Sequence, residues 1–204
     1  MTGPRFSMLL PAQWQVLDFD PATRAWSVDR LVRRALGTAE RLEPLRRDAA
    51  RTYRRMLDDA AERGAFFAAT VAMDLEAQPV AASVMAFLLP APAGPDGSPT
   101  TDPDALLLPL TEPADGETLL EVGLMDLPVG RSVRLRARVA AGVRSQDGTE
   151  PSVDVVRYFT PRPVSGHLVV SAFSTPTLHV ADALGELFDV MARSITINDG
   201  EDAS

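Results

Sequence analysis

The sequence predicts an α+β fold, an antiparallel sheet of about six to seven strands packed with helices. Three observations carry that expectation: two amphipathic helical stretches before Gly64, a series of apolar or alternating runs from Ala65 to Phe173, and one apolar helical stripe near the C-terminus. With 204 residues the chain is read as one domain over 1–197, followed by an unstructured acidic tail at 198–204.

Taken in order, Phe6-x-Met8-x-Leu10 alternates like a strand, and a second short extended run through Val16 to Phe19 makes an entry hairpin with it. Ser27 stands where an N-cap belongs, and Val28, Leu31, Val32 and Ala35 mark one helical face up to Gly37. Pro44 suits the first turn of a second helix, whose apolar positions Leu45, Ala49, Tyr53, Met56 and Ala60 leave an arginine face, and Gly64 ends it. From Ala65 the period changes to two nearly continuous apolar runs separated by Glu76-Ala77-Gln78-Pro79. They read as buried strands at the centre of the sheet. Residues 91–117 are rich in proline, glycine and acids, and are expected to be a long loop. Four strands follow at 119–126, 131–140, 152–160 and 167–173. In the last helix Thr175 is the expected cap, Pro176 suits the first turn, and Val180, Leu184, Leu187, Phe188, Met191 and Ile195 form the stripe.

Composition removes much chemistry. There is no Cys, no Lys, and only His167 and His179, so thiolate and Schiff-base catalysis and a His/Cys zinc cage are excluded by residue type. No Walker, GxSxG or HExxH pattern occurs. No cofactor and no metal is expected, and the chain is read as a non-enzyme. No apolar run reaches the length of a membrane span and the start lacks a secretory apolar region, so a cytoplasmic location without membrane association is expected.

The net charge of −8 is segregated: residues 1–63 sum to +3, residues 64–130 to −10 with no basic residue, and residues 131–204 to −1. An acidic chain is repelled by nucleic acid at long range, and Tyr53 alone could stack beside the helix arginines, so no nucleic-acid partner is expected.

The N-terminal F-x-M-x-L-P-x-x-W, the run of antiparallel strands, and the closing S-T-P followed by L-x-x-L-F-D-x-x-A-x-S-I resemble the PsbP-like fold. That fold is shared by an extrinsic protein of the oxygen-evolving complex, the mycobacterial LpqN lipoproteins and a release factor for the nuclear-import GTPase. The resemblance spans roughly residues 5 to 196 and implies a binding or assembly factor rather than an enzyme. The all-Arg, Ala- and Pro-rich composition is also similar to that of high-GC actinobacterial genes.

Two arginine sets are the candidate partner-binding residues. Arg134, Arg136 and Arg138 project from one face of a strand, although a register placing Glu121 opposite Arg136 offers internal pairing. Arg47, Arg51 and Arg55 stack at i, i+4, i+8, a like-charge spacing that an anionic partner would relieve. Two further constellations are weaker: His179, Asp182 and Glu186 share a helix face at metal-ligand reach, and Asp154 with Glu121 would make an acid pair if their strands met. The expected function is therefore a protein-binding adaptor or assembly factor, with salt-sensitive self-association through the acidic middle and an arginine face as one form. The alternatives are a small-anion binder or enzyme with an Arg-lined pocket using His167 or His179, and an immunity-type or structural component of a larger complex.

Overall fold

The computed structural model describes residues 5–75, 78–94, 97–140, 151–162 and 165–198. Nine strands occur among them: β1 (Arg5–Ser7), β2 (Gln15–Leu17), β3 (Ala65–Leu75), β4 (Gln78–Pro90), β5 (Glu117–Leu127), β6 (Gly130–Ala140), β7 (Ser152–Arg162), β8 (His167–Thr175) and β9 (Thr196–Asn198). Four α-helices accompany them: α1 (Pro21–Leu36), α2 (Glu43–Glu62), α3 (Pro103–Leu107) and α4 (Ala181–Arg193). Seven strands make one antiparallel sheet in the order β2-β3-β4-β8-β7-β6-β5, which is the expected α+β class. The central strand is β8, with β4 beside it, while β3 lies next to the short edge strand β2.

The expected entry hairpin does not form. β1 pairs with β9, with Phe6 opposite Ile197, and β2 pairs with β3. α1 begins six residues before Ser27: the Asp20 carboxylate accepts from the Ala22 N–H at 2.9 Å and Pro21 occupies the first turn. α4 starts later than Thr175, whose hydroxyl instead donates to Ala81 O at 2.7 Å and accepts from Thr177 N–H at 3.0 Å. The loop expected at 91–117 contains α3, which is held by Leu106 packing on Val133, Leu168 and Val170. Asn198, expected in the tail, ends β9, and 199–204 lie outside the described residues.

Alternation along the strands gives each face of the sheet a separate cover. On one face α4 lays Leu184, Phe188 and Met191 over Val84, Val156, Tyr158 and Phe173, with Phe173 and Phe188 stacked at 5.0 Å. On the other, α1 and α2 bury Val28, Leu31, Val32 and Leu57 against Leu17 and Ala68 at one end, and α3 covers the other end. Gly64 turns the chain from α2 into β3 at φ +87°, and a Cβ there would stand 2.8 Å from Leu88 O, so glycine is required. Among the described residues no helix is long and apolar enough to cross a membrane.

Candidate functional site

The Arg134, Arg136 and Arg138 ladder lies on the face that α4 covers. Cross-strand rows fix this: Val84, Phe173, Val156, Arg136 and Glu121 stand side by side, and so do Ser171, Tyr158, Arg134 and Gly123. Arg134 is 14% exposed, its Nε donating to Asp189 of α4 and its Nη1 to Glu121, both at 2.7 Å. Burial opposes its charge, yet the Asp189 and Glu121 bonds keep its pKa above the usual guanidinium range. Burial, seconded by the bond its hydroxyl donates to Asp189, likewise pushes the Tyr158 phenol far up. Arg136 grips the buried Asp154 through Nε and Nη2 at 3.0 and 3.1 Å and reaches Asp182 at 2.7 Å. Arg138 is half-exposed, 3.8 Å from Asp154. The register that sets Glu121 opposite Arg136 is the expected one, but the Glu121 carboxylate leans diagonally to Arg134. Two of the three arginines thus hold α4 and a buried carboxylate in place.

The same contacts keep the weaker constellations apart. Asp154 and Glu121 each face arginine, not each other, and Asp182 bonds to Arg136. Among the described residues no group of three His, Cys, Asp or Glu could hold a metal ion. His167 places Nδ1 2.6 Å from Ser165 O.

The helix arginines form a different arrangement. The apolar stripes of α1 and α2 pack together, so their flanking polar positions face across a cleft of about 360 Å³ lined by Arg33, Arg46, Arg47, Arg51 and Arg54. Among the described residues, only two carboxylates, Asp29 and Glu43, share that lining. Arg46 closes the connection between the helices: its Nε and Nη2 bond Glu43, and its Nη1 donates to Gly37 O and Ala39 O at 2.9 and 3.0 Å. Arg54 crosses to Asp29 of α1 at 2.6 Å. Hydrogen bonds from Arg46 and Arg47 hold the Glu43 carboxyl below its ordinary range. Arg47 and Arg51 remain 72% and 71% exposed, and the nearest acid to Arg51, Asp48, is 3.5 Å away. Arg55, third in the expected stack, is exposed outside the cleft lining. Neither histidine lines the cleft.

The sequence pattern placed Arg46, Arg47, Arg51 and Arg54 on one arginine face of α2 and singled out Arg47 and Arg51, but it did not point to Arg33, because which helix faces oppose each other depends on packing. The signal within reach was α1 itself, where Arg30, Arg33 and Arg34 recur at helical spacing. Compared with protein-family models and with curated proteins, the chain matches none.

Proposed function

We propose that the protein is a non-catalytic adaptor or assembly factor of the cytoplasm that docks an acidic segment of another protein on the arginine face of α1 and α2. The observation that carries this reading is the excess of cation in one open cleft: five guanidiniums converge where two carboxylates stand, and both carboxylates already accept hydrogen bonds. Arginine forks there can donate charge-assisted hydrogen bonds to an incoming carboxylate. Arg47 and Arg51 are the leading contacts, with Arg33 beside them and Arg55 and Arg138 as outlying charges. The PsbP-like resemblance, whose members mostly bind or assemble, belongs to the same reading.

A pull-down from native lysate at low and moderate salt tests it. One stoichiometric partner, lost when Arg33, Arg47 and Arg51 are replaced by Ala with the fold intact, is the expected result. Recovery of bait alone at both salts overturns it. A second reading, a small-anion binder, is favoured by the cleft volume of about 360 Å³, which lies within the size range of ligand pockets. Stabilisation of the protein by pyrophosphate or citrate, lost in the same variant, would favour that reading instead.

A further inference from the structure

A second cleft adjoins α1 on its other side. Its volume is about 420 Å³, and Val16, Phe19, Trp26, Phe66 and Phe67 line it together with Arg30. A break in the β3–β4 register between Ala65 and Phe67 leaves Phe66 unpaired in the ladder, free to turn toward the sheet edge. Trp26 is 64% exposed, and the Arg30 guanidinium lies 4.5 Å from its ring centroid. Exposed tryptophan beside arginine is the composition of an interface centre. Along α1, Trp26 and Arg30 are four residues apart, about 6 Å, and Arg33 continues the ridge into the arginine cleft.

The acidic middle of the chain carries the matching shape. Leu108, at the end of α3, is 77% exposed and is the most exposed large apolar side chain among the described residues. Asp104 lies four residues before it and Glu112 four after, all three exposed. Asp104 meets Arg131 at 3.1 Å in a half-exposed pair that exchanges at little cost, and Glu112 has no ion pair among the described residues. One patch therefore offers an apolar knob with acids four residues away, and the other an aromatic cleft with an arginine four residues away.

We infer that the occupant of this surface is a second copy of the chain: Leu108 of one copy enters the cleft at Trp26 of the next, and its flanking acids meet Arg30 and Arg33. This rests on the adaptor reading in using the α1 arginines as a docking ridge for acidic segments, and it adds a second copy of the chain as one such partner beside the foreign one. The two patches are opposite in charge, and one carries an exposed apolar side chain where the other carries an aromatic cleft, so each supplies what the other lacks. The contact is heterologous, one patch against a different patch.

Sedimentation equilibrium of the full chain, at about 50 mM and about 500 mM salt, tests this. Wild type is expected to associate at the lower salt and to dissociate at the higher. Leu108→Asp, and separately Trp26→Ala with Arg33→Glu, should each weaken association roughly tenfold or more while leaving the thermal transition unchanged, because all three side chains are exposed. Mixing the two variants should restore association, since one brings an intact cleft and the other an intact knob. A wild type that stays monomeric at low salt overturns the inference, as does association that ignores Leu108→Asp or a mixture that does not recover. The adaptor reading fails separately, when the pull-down returns no partner. A foreign partner lost with Arg33, Arg47 and Arg51, from a protein monomeric at low salt, keeps that reading and removes this one.

Discussion

Glu117, at the start of β5, accepts from Arg157 Nη2 at 2.5 Å and is 13% exposed. That hydrogen bond, opposed by burial, holds its carboxyl below the ordinary glutamate range. A carboxylate with a depressed folded pKa stabilises the fold above its unfolded pKa, and the contribution is lost as pH falls through the folded one. Wild type should therefore lose stability between neutral pH and pH ~3 more steeply than Glu117→Gln, whose stability at neutral pH should already be lower. Urea midpoints measured across that range check the sign; parallel curves for the two proteins would show that the pair contributes nothing. The sequence shows Glu117 and Arg157 as ordinary members of two alternating runs. Nothing in their 40-residue separation announces the contact, because it passes over β6, which lies between their strands.

α4 adheres to the sheet by two means, an apolar stripe and a pair of arginine clamps. The stripe was legible because Leu184, Phe188 and Met191 recur at helical spacing and are buried as that spacing implies. The clamps were not, since Arg134 to Asp189 and Arg136 to Asp182 join a strand to a helix about fifty residues on. Asp154, 1% exposed, makes the clamp costly to break. Arg136→Met should destabilise by about 3 kcal/mol, because it leaves a buried carboxylate with only the distant Arg138. Adding Asp154→Leu should recover most of that loss, since apolar residues can replace a buried pair at little cost. Chemical denaturation of the single and double variants reads the difference, and a double variant as weak as the single one would refute the account. α1 teaches a related lesson about boundaries: its first six residues, Pro21 to Trp26, bury no apolar side chain, so the apolar period begins only at Val28, just after the buried Ser27. Periodicity reports where a helix touches the core, and the cap reports where it starts.

Across the whole molecule, the sheet after residue 117 was readable almost strand by strand, even to the Glu121 and Arg136 register, because alternation with one covered face specifies pairing. The entry hairpin failed for the opposite reason: β1 and β2 are three residues each, too short for a pattern to name a partner. The real partner of β1 lies at the far end of the chain, where the Ser7 and Thr196 hydroxyls meet at 2.7 Å. The chain is thus laced shut by its first and last described strands. A circular permutant that joins the ends near Arg5 and Asn198 by a short linker and opens the exposed connection at Thr38 should keep the cooperative thermal transition of the parent. The arginine cleft would then be held by packing, by Arg46 and by the Arg24–Asp58 and Arg54–Asp29 pairs that join α1 to α2, so the permutant separates a surface that is merely covalently hinged from one that the fold itself assembles.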